Sequence, residues 1–231
     1  QEHDAFRYLW DGATLSHGVS PYRHAPAEIR QAISGTLRAG ADTSITADRD
    51  ILVNIVRSDP GARDTLTKIA YTDVPTIYPP AAQLAFAAGY RLTGWSWDGL
   101  RLIFILAYFA GATVILVTTA PEERLLTALL LGWCPLAVKE IANSTHLDAL
   151  LVLYFAGIMF AVQQCRRPFL IAHITGALLG VAILTKLYPV LLLPVFGAWF
   201  AARNSLATAA MFCGATALTC LAGYAPFLYN D

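Results

Sequence analysis

The stretch Lys139–Asp148 places two acids, a lysine, a histidine, an asparagine and two hydroxyls within ten residues. Apolar sequence lies on both sides of it, at Leu125–Val138 and Ala149–Val162. Ionisable groups cost on the order of several kcal/mol when buried in hydrocarbon, so this stretch is expected at a membrane end or facing a wet cavity. Thr145 followed by Asp148 also fits a capping box, which makes a capped interhelical turn the structural alternative.

Other acids and bases of the chain suggest what chemistry such a cavity could perform. A carboxylate near a lipid interface can act as general base on a sugar or alcohol hydroxyl. Cationic groups beside it can bind a phosphate and stabilise it as a leaving group. The candidate carboxylates are Glu2, Asp4, Asp11, Asp73, Glu140 and Asp148, and the candidate cationic or donor groups are Arg7, Lys139, His146 and Lys186. The sequence contains no phosphate-binding glycine loop, zinc motif or nucleophile-elbow serine, so no metal or cofactor is expected.

Several of these residues have a purely structural interpretation as well. Asp11 precedes Gly12 and suits a turn or a helix cap. Asp148 suits a cap, and Lys186 can extend its ammonium group towards an interface from a helix end. Asp4 opens a predicted helix, so local sequence leaves a cap and a base equally open.

The elements that must position these groups are predicted to be membrane helices. Of the 231 residues, 56% are hydrophobic and 14% are charged, whereas a soluble domain carries about a quarter charged residues. The apolar residues concentrate after Gly99, which predicts an all-α, polytopic helical membrane protein in contact with lipid. The formal net charge of zero gives no argument for a nucleic-acid partner.

Residues 1–99 are predicted to form a non-spanning region with short interfacial helices, because the sequence is polar and rich in Pro and Gly, and the loop charges described below place this region on the extracytoplasmic face. Its predicted elements are a helix at Asp4–Gly12 ending at the glycine, a turn at His17–Tyr22, helices at Ala27–Leu37 and Asp48–Val56, an extended segment at Asp73–Pro80, and a short embedded helix at Ala81–Arg91.

Residues 100–231 are predicted to form a transmembrane bundle. The candidate spans are Leu102–Thr118, Leu125–Val138, Leu147–Val162, Phe169–Thr185, Val190–Ala202 and Leu206–Phe227. About 20 residues are needed to cross a bilayer, so the second and the fifth are short, and Pro135 and Pro194 are expected to bend them. Neither end of the sequence resembles a natural terminus, which favours a fragment of a longer protein.

The distribution of arginines between the short loops predicts the topology. Arg124, Arg166, Arg167 and Arg203 lie in loops that alternate with Lys139–Asp148 and Lys186–Pro189, and the positive-inside rule places these arginines in the cytoplasm. The amino-terminal region and Tyr229–Asp231 then share the opposite face with the two polar stretches. We therefore predict that Asp4, Tyr78, Lys139, His146 and Lys186 surround one cavity on that face.

Five segments together carry a resemblance to a known family. Asp4–Gly12, Gly18–Tyr22 and Thr76–Pro80 are similar to the first extracytoplasmic loop of the GT-C glycosyltransferases, which are integral-membrane enzymes that use polyprenyl-phosphate sugars. Lys139–Asp148 and Leu184–Pro189 resemble later loops of the bacterial mannosyltransferase-like branch. The matching segments follow the family order over nearly the whole chain, although a first transmembrane helix before Asp4 is absent.

The resemblance implies a glycosyltransferase of the inner (plasma) membrane, multi-pass, with its active face extracytoplasmic. It would transfer a hexose, with mannose favoured, from a polyprenyl-phosphate donor to a glycan, lipid or protein acceptor with inversion. Asp4 matches the catalytic acid position, and Glu2 is a weaker candidate. Donor phosphate binding is assigned to Arg7, Lys139, His146 and Lys186. The substrate pocket is assigned to Glu2, Tyr8, Tyr78, Asn143 and Asp148.

Two other classes remain as alternatives. A transporter or lipid flippase would place its ionisable residues in mid-membrane, within broken helices, whereas here they cluster at helix ends. A non-catalytic subunit on the same fold would carry the same acids in structural roles.

Overall fold

The computed structural model describes residues 4–35 and 43–228, and this part of the chain is all-helical, with no strand. It divides into two compact units. The first comprises Gln1–Tyr78, Gln83–Leu102 and Phe227–Asp231, and the second comprises Pro79–Ala82 and Ile103–Pro226. The all-α prediction is confirmed, and each unit is described by itself.

Five helices contribute most of the first unit: α1 (Asp4–Ser16), α2 (Pro26–Ser34), α3 (Thr43–Ser58), α4 (Pro60–Lys68) and α5 (Pro80–Thr93), whose first turn belongs to the second unit. Proline stands at the start of α2 and α4, where its fixed φ suits the first helical turn. Asp59 caps α4 by accepting a hydrogen bond of 2.7 Å from the Gly61 amide. The sequence prediction missed α4, because Pro60 and Gly61 indicate a turn when taken alone.

Helix α1 continues to Ser16, so the prediction that it ends at Gly12 was wrong. The glycine serves a different purpose, because a Cβ atom at position 12 would lie 2.3 Å from the carbonyl oxygen of Phe86. Helix α5 therefore approaches the backbone of α1 at this point. A glycine in a helix interior costs roughly 0.5–1 kcal/mol relative to alanine, and the close approach of α5 requires it here.

The first unit is built around a continuous apolar core. Phe6 and Trp10 of α1 pack there with Ile29 of α2, Val56 of α3 and Leu66 of α4, all of them buried. This core fixes α1 to α4 as one scaffold, from which the polar side chains described below extend.

The second unit contains most of the apolar sequence. Its elements are α6 (Asp98–Thr118), which begins in the first unit, α7 (Arg124–Gly132), α8 (Pro135–Ala137), a π-helical turn (Val138–Asn143), α9 (Asp148–Gln164), α10 (Pro168–Thr185), a 3₁₀ turn (Tyr188–Leu192), α11 (Leu193–Arg203) and α12 (Leu206–Leu228). Three of these, α6, α10 and α12, are long and apolar enough to cross a membrane. The second and fifth predicted spans are short, as expected, and Pro135 interrupts the former.

The capping box predicted at Thr145 and Asp148 was wrong. The residue before α9 is Leu147, which makes no side-chain cap, and the Asp148 carboxylate is instead bonded to Lys186. Thr145 is buried with φ at 60°, a left-handed conformation that is costly for a β-branched residue. The first half of the predicted loop Lys139–Asp148 is also helical, within the π turn.

Helices α10 and α12 touch through glycines. A Cβ atom at Gly176 would lie 2.4 Å from the Phe212 carbonyl oxygen, and one at Gly180 would lie 2.7 Å from the Thr219 side chain. On α12, a Cβ atom at Gly223 would lie 2.4 Å from the Leu184 side chain. We call these three positions the glycine seam. Small residues spaced in this way allow helices to approach closely.

Candidate functional site

A cavity of about 510 Å³ lies in the first unit, between α1 and the segment before α5. Its lining includes Asp4, Arg7 and Tyr78, together with the apolar residues Val74 and Ile77. Asp4 is the first residue of α1 and is half-buried. Within residues 4–35 and 43–228, no group donates a hydrogen bond to the Asp4 carboxylate, so the described contacts give no support to its role as a cap.

Arg7 lies one turn further along α1 and is held in a fixed orientation. Its Nε donates to Asp11 Oδ1 at 2.9 Å, and its Nη2 donates to the Val74 carbonyl oxygen at 3.2 Å. The side chains of Arg7 and Asp11 are only 9% and 2% exposed. The interpretation of Asp11 as a turn or cap residue was therefore wrong, because it lies inside α1 in a buried ion pair.

A polar network extends from Asp11 to the buried amide of Gln83 on α5. The Gln83 Nε2 donates to Thr76 Oγ1 at 2.8 Å and lies 3.4 Å from Asp11 Oδ2. Burial raises the pKa of Asp11, while the neighbouring Arg7 guanidinium opposes the rise. Sequence reasoning missed this network, although the four-residue spacing of Arg7 and Asp11 on one helix was an available signal.

Two tyrosines assigned to the substrate pocket are in contact beside the Asp4 cavity. The Tyr8 ring stacks on Phe86 at 4.3 Å between centroids and meets the Tyr78 ring edge-on at 5.1 Å. Burial raises the pKa of Tyr78 to about 12, and the charge of Asp4 adds to this effect. The Tyr78 phenol is therefore neutral at physiological pH and can donate a hydrogen bond.

In the second unit, the π turn after Pro135 brings three ionisable side chains together. The Glu140 carboxylate lies 3.1 Å from both Lys139 Nζ and His146 Nε2. Lys139 and Asn143 line a cavity of about 670 Å³, together with the apolar side chains of Trp133, Pro135 and Val138. The Lys139 side chain is 64% exposed, which leaves it accessible from this cavity.

A second ion pair joins the start of α9 to the end of α10. Lys186 Nζ lies 2.9 Å from Asp148 Oδ1 and 2.8 Å from Oδ2. The Tyr188 hydroxyl donates to Asp148 Oδ1 at 3.3 Å. Sequence analysis assigned Asp148 and Lys186 to different subsites, and it did not predict that they bind one another.

The predicted site residues thus fall into two groups. Asp4, Arg7, Tyr8 and Tyr78 belong to the first unit, whereas Lys139, Asn143, His146, Asp148 and Lys186 belong to the second. The prediction that Asp4, Tyr78, Lys139, His146 and Lys186 surround one cavity therefore stays a prediction. Glu2 lies outside the described residues. In the part of the chain that is described, no group of three or more His, Cys, Asp or Glu side chains is arranged to hold a metal ion.

Comparison with known proteins does not assign the chain to a family. No protein-family model, curated protein or solved structure matches the chain.

Proposed function

We propose that this protein is a membrane glycosyltransferase that moves a hexose from a polyprenyl-phosphate donor to an extracytoplasmic acceptor. The observation that supports this best is the Asp4 cavity. It combines a half-buried carboxylate that accepts no hydrogen bond from the described residues with a guanidinium group, Arg7, held by a buried partner. A general base must be able to accept a proton, and Asp4 meets that condition.

In the proposed reaction, Asp4 removes the proton from the acceptor hydroxyl as its oxygen attacks the anomeric carbon. The bond between that carbon and the phosphate oxygen breaks, and the polyprenyl phosphate leaves with the bonding electrons. A single displacement of this kind inverts the configuration at the anomeric carbon. The fixed Arg7 and the neutral Tyr78 phenol supply hydrogen-bond donors in the cavity, where they can orient the acceptor or the leaving phosphate.

For the donor, the cavity at the broken helix of the second unit has suitable chemistry. Trp133, Pro135 and Val138 offer an apolar wall for an isoprenoid chain, and Lys139 offers a cation for its phosphate. Both lysines are paired, Lys139 with Glu140 and Lys186 with Asp148, but Lys139 lines this cavity and its side chain is 64% exposed, against 34% for Lys186. We therefore assign Lys139 the larger part in donor binding and Lys186 a smaller one.

The proposal includes a multi-pass arrangement in the plasma membrane with the site facing outward. The three long apolar helices support membrane association. The acceptor is a glycan, a lipid or a protein, and mannose is the favoured sugar. Asp148 and Lys186 lie at helix ends, which gives little support to a transport mechanism based on charges in mid-membrane.

Asp4→Asn in the full-length protein tests the proposal, with transfer from a radiolabelled polyprenyl-phosphate sugar measured in detergent. Loss of a general base lowers turnover by about 10²- to 10⁴-fold, so we expect almost no transfer with donor binding retained. Asp73→Asn is the matched control, because Asp73 is an exposed carboxylate near this cavity that is not part of its lining.

Near-normal turnover by Asp4→Asn would exclude Asp4 as the base and make Glu2 the next residue to test. If Glu2→Gln also remained active, or if no polyprenyl-phosphate sugar were consumed by the unaltered protein, the proposed function would be wrong.

A further inference from the structure

Three arginines from three different helices line one cavity in the first unit, away from the residues assigned above. Arg30 of α2, Arg57 of α3 and Arg63 of α4 surround a space of about 300 Å³. Its remaining lining is apolar, from Ile33, Val56 and Leu66, apart from the Thr67 side chain. A concentration of like charge in one cavity needs a physical explanation, because guanidinium groups repel one another.

Two of these arginines, Arg30 and Arg63, are held by hydrogen bonds to backbone oxygens. Arg30 follows the fully buried Ile29 on α2, and its Nη2 donates to the carbonyl oxygen of Leu66 on α4. The Arg63 Nη2 donates to the Arg57 carbonyl oxygen at 3.1 Å. These bonds to backbone oxygens orient the side chains without neutralising their charge.

Within residues 4–35 and 43–228, no carboxylate forms an ion pair with any of the three arginines. The acids that follow Arg57 and Arg63 most closely in sequence, Asp59 and Asp64, have other partners. Asp59 accepts from the Gly61 amide at 2.7 Å and from Trp95 Nε1 at 2.8 Å, and Asp64 binds Lys68 Nζ at 2.7 Å. The Arg30 Nε is buried and has no hydrogen-bond acceptor.

We propose that this arginine cluster binds the phosphate group of a phosphorylated ligand. Three guanidinium groups offer more donors than a carboxylate can accept, whereas a phosphate monoester presents three acceptor oxygens and up to two negative charges. The apolar wall formed by Ile33, Val56 and Leu66 suits the carbon-containing part of the ligand. The proposal is independent of the Asp4 chemistry, since no residue is shared between the two cavities.

The test uses the purified full chain in a neutral detergent, with inorganic phosphate as the probe. Binding is measured by titration calorimetry and by the rise in unfolding temperature, against sodium chloride of the same ionic strength. Arg57→Gln and Arg63→Gln are informative variants, because both side chains are exposed and their loss leaves the core intact. Arg91→Gln is the control, since Arg91 is an exposed arginine of α5 outside this cavity.

We expect phosphate to bind and stabilise the unaltered protein, and each cluster variant to bind it about tenfold or more weakly. Arg91→Gln should respond as the unaltered protein does. In low salt without phosphate, the two cluster variants should unfold at the same or a higher temperature, because repulsion is relieved. Phosphate that acts no more strongly than chloride, or equally on all variants, overturns the proposal.

The source of the phosphate group is resolved by a second measurement. Mixed micelles that contain phosphatidic acid are compared with micelles that contain phosphatidylcholine. Preferential binding to phosphatidic acid that inorganic phosphate displaces would identify a lipid headgroup. Binding of inorganic phosphate without that preference would identify a soluble phosphorylated ligand. If neither phosphatidic acid nor inorganic phosphate binds, the proposal that the arginine cluster binds a phosphate group is wrong.

Discussion

The buried pair of Arg7 and Asp11 allows a quantitative test of the first unit. The two side chains are in contact at 2.9 Å and are 9% and 2% exposed. Asp11→Ala leaves the guanidinium group buried without its carboxylate, and breaking a buried pair in this way costs about 3–5 kcal/mol. Since folded domains are stable by only about 5–15 kcal/mol, this is a large part of the total. Asp11→Asn keeps one acceptor oxygen, which can serve Arg7 or Gln83 but not both, so its loss should be smaller, about 1–3 kcal/mol.

The same carboxyl predicts a pH dependence with a definite sign. Burial raises the pKa of Asp11 above its value in the unfolded chain, which is about 3.9. An acid of this kind contributes stability that is fully present below the unfolded pKa and is lost as the pH rises through the folded pKa. The unfolding free energy of the unaltered protein, relative to that of Asp11→Asn, should therefore be highest in acid and should fall across that window.

The assay is unfolding in detergent at a series of pH values, followed by tryptophan fluorescence. Trp10 adjoins Asp11 in sequence and is 3% exposed, so it reports on this region. Asp73→Ala serves as the control because Asp73 is exposed. A loss below about 1 kcal/mol for Asp11→Ala would refute the energetic argument. A difference between the unaltered protein and Asp11→Asn that did not change with pH would refute the pKa argument.

Three further predictions concern packing, pairing and donor binding. Gly12→Ala should cost at least about 1–3 kcal/mol in unfolding free energy, because the new Cβ meets the backbone of α5, whereas Gly214→Ala, with open space around it, should be neutral or slightly stabilising. A double-mutant cycle on Asp148 and Lys186, with side chains 39% and 34% exposed, should give a coupling of roughly 0.2–1 kcal/mol, and zero coupling would contradict the pairing. Lys139→Ala should raise the KM for the lipid donor more than it lowers kcat; a change confined to the acceptor KM would reverse the assigned role.

The sequence was most informative about the positions of the long apolar helices, which hydropathy largely determines. Long apolar runs predicted α6, α10 and α12 closely, because a helix of about 20 apolar residues has few alternative structures. Pro135 interrupts the second predicted span, whereas the bend predicted at Pro194 was wrong, because Pro194 lies in the first turn of α11. These features depend on local sequence alone.

Local sequence did not predict the roles of residues whose main contacts are distant in the chain. Gly12 indicated a helix end, but its neighbour is α5, more than seventy residues further along the chain. Asp148 matched a capping pattern, yet its carboxylate binds Lys186, which lies 38 residues further along the chain. Asp11 was wrongly interpreted as a turn or cap residue for the same reason. Its burial depends on α5 and on the segment around Thr76, which are both distant in sequence.

Biosynthesis of the proposed multi-pass arrangement is constrained by the glycine seam. Lipid provides no hydrophobic force between helices, so α10 and α12 are held by the fit of their surfaces at Gly176, Gly180 and Gly223. A growing chain emerges from its amino terminus, so in this proposed arrangement α10 would enter the membrane before α12 has been synthesised. During that interval Gly176 and Gly180 would lack the α12 residues that cover them in the folded protein. A nascent protein that stalled before α12 would therefore leave these two glycines open to close contact with helices of other membrane proteins.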